Sequence, residues 1–330
     1  MTSRQYFLLV VLTAFLAVVV IGLGAYTRLS HAGLGCPDWP GCYGELVVPE
    51  SESHVEEKHY LDQRALEPEK AWIEMIHRYF AGALGLLILA ITVISWKKRN
   101  EPEQPVWLPT VLLLLVIFQA VLGMWTVTWQ LKPVVVMGHL LGGFSTLALL
   151  VLLALKTIGR DLSIDARQIG RNFAGVVLLI VIMQIALGGW TSTNYAAVAC
   201  PDFPTCQGQW MPDADFQEAF VLWRGLGVNY EFGILEHPAR LAIHWTHRLG
   251  ALITFVMVGW LSLKLLRSGS SRGVSSGWMV LVLLSTQIIL GISNVVMALP
   301  LAIAVAHNLV GAFLLLSVLF VNFQLWQRQR

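Results

Sequence analysis

The sequence predicts an all-α membrane protein whose eight transmembrane helices form two tandem, pseudo-symmetric four-helix bundles. Three observations carry that expectation. Of 330 residues, 56% are hydrophobic and 13% charged, against about 25% charged in an ordinary soluble chain, so lipid is the solvent for most of the chain. Eight stretches reach the roughly 20 apolar residues that a spanning helix needs. Motifs of the first half recur, in the same order, in the second. The net charge of +2 is spread without a basic stripe, which offers nucleic acid no face to bind.

The apolar stretches cover about 6–26, 72–96, 107–128, 133–155, 173–193, 240–263, 277–298 and 300–322. The first is too long for the apolar core of a signal peptide, and no A-x-A cleavage site follows it, so it reads as a retained helix. The long segment 27–71 after it carries Cys36 and Cys42, and the long segment 194–239 after the fifth stretch carries Cys200 and Cys206. The other connections and the ends are short and basic: Arg4, then Lys97, Lys98 and Arg99, then Lys156, Arg160, Arg167 and Arg171, then Lys264, Arg267 and Arg272, and finally Arg328 and Arg330. Basic short loops stay in the cytoplasm, which puts both termini inside and both cysteine loops outside. Pro133, Pro238 and Pro300 stand at the starts of spans, where a missing amide hydrogen costs little.

The repeat is specific by position. Cys36-Pro37-Asp38-Trp39-Pro40-Gly41-Cys42 returns as Cys200-Pro201-Asp202-Phe203-Pro204-Thr205-Cys206 at an offset of 164, and Leu23-Gly24-Ala25-Tyr26-Thr27 aligns with Leu187-Gly188-Gly189-Trp190-Thr191 at the same offset. Gln119 to Gly123 aligns with Gln287 to Gly291 at 168, His77-Arg78 with His247-Arg248 at 170, and His139 with His307 at 168. One four-helix unit is duplicated, with halves expected at 1–165 and 166–330. An even number of helices per copy gives both copies the same orientation and a pseudo-two-fold along the membrane normal.

Ionisable side chains are costly inside a membrane and mark function by default. His77, His139, His247 and His307 qualify: the first two stand about six residues, or about 9 Å at roughly 1.5 Å of rise per residue, from the outer face, and the last two about seven residues, within a turn of the same level. Paired imidazoles from neighbouring helices hold haem in bundles. A bland alternative is that each histidine hydrogen-bonds a helix partner. Zinc or copper also suits imidazole, but a structural zinc site wants four ligands and each half supplies two at depth. Arg78 and Arg248 follow the ligand candidates and reach either haem propionates or lipid headgroups. Glu74, a turn outward from His77, becomes His244 in the second copy. It is read as a proton acceptor or electrostatic stabiliser beside an oxidised substrate, or as an acid that ends a helix at the boundary. The two cysteine pairs, close in sequence and on the oxidising side, are expected as disulfides Cys36–Cys42 and Cys200–Cys206. A redox role for one pair, or a zinc site from all four, is the alternative.

Glu74-x-x-His77-Arg78, His139, His247-Arg248 with His307, and the Gly-Ala-Tyr-Thr-Arg-Leu-Ser…Cys-Pro-Asp-Trp-Pro-x-Cys opening together resemble the haem A synthase family over essentially the whole chain. The resemblance implies an oxidoreductase that converts haem O to haem A by oxidising a porphyrin methyl to a formyl group, for cytochrome oxidase assembly in a bacterial-type plasma (inner) membrane. It implies a resident haem b on His247/His307 and the substrate haem on His77/His139. Glu74 lies beside the substrate, and Cys36/Cys42 are implicated in activity. Beyond haem O and the bilayer, it points to haem O synthase and other assembly factors as partners, with a second copy of the chain as a further candidate. A bis-histidine iron has no position for oxygen, so ligand release, outer-sphere oxidation and oxygen from water all stay open. Spacing alone fits two other functions: a di-haem b quinol oxidoreductase, which leaves Glu74 in one half only unexplained, and a haem transporter or chaperone.

Overall fold

The structure, a computed structural model, describes residues 2–159, 161–165 and 169–327. Arg160, Arg167, Arg328 and Arg330, which enter the expected orientation, and Ala166, at the expected junction of the halves, lie outside the described residues. Among the described residues ten α-helices follow in order: α1 Ser3–Leu29, α2 His59–Gln63, α3 Pro68–Lys97, α4 Trp107–Thr128, α5 Pro133–Thr157, α6 Arg171–Thr193, α7 Phe216–Ala219, α8 His237–Leu266, α9 Ser271–Val296 and α10 Leu301–Trp326. All but α2 and α7 are long and apolar enough to span a bilayer, and the chain is an integral membrane protein. The helices outrun the apolar stretches: α3 starts at Pro68 rather than near 72, and α9 at Ser271 rather than near 277. A helix begins where its free amides find a cap. Thr2 forms a capping box with Gln5 before α1, the Ser270 side chain accepts from Gly273 N before α9, and a proline opens the first turn of α3, α5 and α8.

Two compact units result, Met1–Ile158 with Leu222–Phe232, and Gly159–Val221 with Gly233–Arg330. In the first, α1 and α4 each pack against both α3 and α5, closing a ring in which α3 and α5 face each other across the bundle. In the second, α6 and α9 each pack against both α8 and α10, the same ring. The histidine-bearing helices are therefore diagonal partners, where adjacent ones were expected. A diagonal pair puts the width of a bundle between the rings instead of one helix contact.

Relative to halves drawn at 165/166, the segment Leu222–Phe232 changes sides. Tyr230 N donates to Gln130 O at 3.0 Å, and Arg64 grips both carboxylate oxygens of Glu231 at 3.0 Å. Lys132, 1% exposed, donates to Gly225 O and lies 3.3 Å over the Trp223 ring. Leu34, Val127, Leu131 and Tyr230 close an apolar cluster beneath. A buried ammonium needs an acceptor and an electron-rich face, and this segment brings both.

The duplication also shows in backbone conformations that non-glycine residues rarely adopt. His31 and Tyr195 have φ of 55° and 53°, Tyr43 and Gln207 57° and 55°, and Leu131 and Leu299 59° and 63°. In the first two pairs the residue types differ while the conformation persists, so the repeat is carried by the fold as well as by shared letters.

Candidate functional site

His77 on α3 and His139 on α5 meet across the first bundle with ring centres 6.4 Å apart and planes at 88°. An iron bonded to two imidazoles at about 2 Å, each ring adding about 1.2 Å to its centre, spaces the centres by roughly 6.4 Å. The rings may take any angle about that axis, so this pair fits a haem iron. Each histidine also lies against a glycine of a neighbouring helix. A methyl group built on Gly24 of α1 would meet His77 Cε1 at 2.9 Å, and on Gly123 of α4 would meet His139 Cε1 at 3.5 Å. In the second unit Gly188 of α6 would meet His247 Cε1 at 3.2 Å, and Gly291 of α9 would meet His307 Cε1 at 3.1 Å. In each unit the two rings lie in a cradle that side chains at those glycines would fill.

Above each first ligand sits a cysteine loop. Glu74 is 4% exposed; its Oε2 accepts from Cys36 N at 3.1 Å and its Oε1 from Arg78 Nη2 at 2.5 Å. Arg78 Nη1 donates to Pro40 O at 3.3 Å and to Gly41 O. In the second unit, Arg248 donates to Thr205 O at 2.7 Å and Cys200 O at 2.9 Å. His244, 4% exposed, places Nδ1 3.0 Å from Ala196 O and 3.4 Å from Cys200 N. Glu74 and His244 thus occupy the same place under the first cysteine of each loop, and the difference between them is an ion-paired carboxylate against a ring. The structure spends guanidinium donors of Arg78 and Arg248 on loop carbonyls.

Both loops are cross-linked, Cys36 to Cys42 and Cys200 to Cys206, and each is tied by its aspartate. Asp38 accepts from Tyr43 N at 2.7 Å and Gly44 N at 3.0 Å. Asp202 accepts from Thr205 Oγ1 and Gln207 N at 2.5 Å and Gly208 N at 2.9 Å. The Thr205 bond first, then the Gly208 amide, hold the Asp202 carboxyl down to about 2. Beneath the first loop Tyr43 donates to Ala65 O at 3.0 Å, and burial pushes its phenol up to about 12.

Sequence reasoning singled out the histidines, Glu74 and the cysteines, of which the structure shows the two disulfides, and missed what surrounds the rings. Gly24/Gly188 and Gly123/Gly291 served only as markers of the repeat, although their recurrence at fixed distance from the histidines was the signal. Gln184 was missed entirely: its Nε2 lies 3.1 Å from His247 Nδ1. Gln287 Nε2 lies 3.3 Å from His307 Nε2. A glutamine inside an apolar span was the available cue.

Comparison with known proteins adds the following. A family model described as cytochrome oxidase assembly protein matches residues 7–319. A heme A synthase of Shewanella oneidensis is 47% identical over 321 residues, covering 96% of either chain. A heme A synthase of Halalkalibacterium halodurans is 25% identical over 319 residues, 94% of this chain and 93% of that one. Another from Shouchella clausii is 28% identical over 217 residues, 63% of this chain and 66% of the relative.

Proposed function

This chain belongs to the family of cytochrome oxidase assembly proteins, and we propose that its part in that assembly is the enzymatic synthesis of haem A, by oxidising a methyl group of haem O to a formyl group. Its similarity to heme A synthases over nearly the full length supports this reading. The histidines stand on helices long and apolar enough to span a bilayer, which supports a site open to an apolar, membrane-dissolved substrate. The cysteine loops face outward and both termini the cytoplasm of a bacterial plasma membrane, as the distribution of basic residues implies.

His77 and His139 hold the substrate, and His247 and His307 hold a resident haem b, which when bound supplies one-electron transfer. The conversion replaces two C–H bonds by one C=O bond: with the oxygen counted as water it releases four electrons and four protons, which needs an external electron acceptor such as dioxygen or a quinone, and the carbon becomes electron-poor on the way. Glu74 meets that demand from a fixed position. Arg78 holds Oε1 and Cys36 N–H holds Oε2, so the carboxylate requires no reorganisation as charge develops. The Cys36–Cys42 loop thereby acts as the mount for Glu74.

The observation that carries the proposal is the pair of equivalent histidine cradles that differ in Glu74 against His244. Replacing His247 or His307 by Ala should remove a low-spin haem b signal from the purified protein. Replacing His77 or His139 should keep that signal and abolish haem A formation. Wild-type haem content and wild-type product in all four variants would overturn the assignment.

A further inference from the structure

We propose that Gln184 is a positioning residue that fastens the resident haem by holding His247, and that Val20, at the matching place, leaves His77 a ligand from which haem departs. The proposal rests on the assignment of resident and substrate sites above. The offset of 164 that aligns Gly24 with Gly188 aligns Val20 with Gln184. Each lies one helical turn before the glycine that touches its ligand histidine, so both positions look at corresponding rings.

Gln184 Nε2 lies 3.1 Å from His247 Nδ1 and 3.0 Å from the His247 carbonyl oxygen. Its Oε1 is buried without a hydrogen-bond partner. When iron takes Nε2 of an imidazole, the remaining proton sits on Nδ1. A side-chain amide carries a donor and an acceptor at one end, so a half-turn of Gln184 exchanges its bond to the His247 carbonyl for one in which Oε1 accepts that proton. Such a bond orients the ring and raises its basicity, and its loss typically costs about 10–100-fold in metal affinity. In the other half no side chain can do this. The valine side chain has no acceptor: what His77 meets there is the Val20 backbone, and among the described residues no side chain pairs its buried Nδ1.

The remaining neighbours match between the copies: Gly24 with Gly188, Gly123 with Gly291, and Gln119 with Gln287. A resident cofactor must stay and a product must leave, which calls for unequal affinities from duplicated scaffolds. One amide present in one half only supplies the inequality.

The test uses the purified full-length protein with its bound haem and the variants Gln184→Leu, Gln184→Glu and Val20→Gln. Gln184→Leu should release haem b to excess apomyoglobin about 10–100-fold faster and shift the haem b midpoint potential upward. Gln184→Glu, a stronger acceptor, should shift the potential downward, an ordering that mere packing damage does not produce. Val20→Gln should retain more haem O or haem A through purification. A haem b that depends on His247 but is indifferent to both Gln184 variants, in release rate and in potential, overturns this proposal alone. A haem b lost in His77→Ala and kept in His247→Ala overturns the assignment of the sites.

Discussion

A single methyl group separates the glycines that face the histidines. On Gly24 it would stand 2.9 Å from His77 Cε1, inside any real contact, whereas on Gly123 it would stand at an ordinary 3.5 Å from His139 Cε1. Gly24→Ala is therefore expected to displace the His77 ring and lose haem O binding at the first site. Gly123→Ala should bind as the wild type does, measured as haem O bound per protein. Equal binding by the two variants would contradict the close approach at Gly24. The histidines were legible in the sequence because ionisable groups in apolar spans are costly and need a reason. The glycines were not, because glycine serves many purposes in a membrane helix. Glu74 shows the same limit from another side. Its spacing to Arg78 could be read as an i,i+4 pair, but its bond to Cys36 N joins residues 38 apart, and no local pattern announces such a contact.

At the scale of elements, the spans followed from hydropathy, and the repeat followed from motifs that agree position by position at offsets of 164 to 170. Helix ends shifted because caps, not lipid, decide them. The segment Leu222–Phe232 could not have been anticipated: it has no periodicity, and its partners Arg64, Gln130 and Lys132 are far away in sequence. Its ion pair with Arg64 has side chains only 19% and 12% exposed, and the Glu231 bond holds the Arg64 guanidinium above its usual range. Fork-to-carboxylate geometry in partial burial exceeds the roughly 0–1 kcal/mol of an exposed pair. Arg64→Ala is thus expected to loosen the segment and speed proteolysis around Gly225 and Gly227, both with positive φ. A double-mutant cycle with Glu231→Ala should give a coupling of about 0.5–3 kcal/mol. Unchanged digestion and no coupling would show that Lys132 and the apolar cluster hold the segment without help.

For the whole molecule, the proposed function uses duplication to let one chain hold two haems and divergence at a few positions to treat them differently. In that proposal Glu74 against His244 gives chemistry to one half, and Gln184 against Val20 gives retention to the other. The most direct test extracts and weighs the haems of the purified wild type and of Glu74→Gln, each expressed with a supply of haem O. Wild-type protein should yield haem b together with haem A. Glu74→Gln, which keeps the shape but not the charge, should yield haem b with haem O, its conversion slowed by about 10²–10³ as on loss of one preorganised electrostatic group. Haem b alone from the wild type, or haem A at the wild-type rate from Glu74→Gln, would contradict the account.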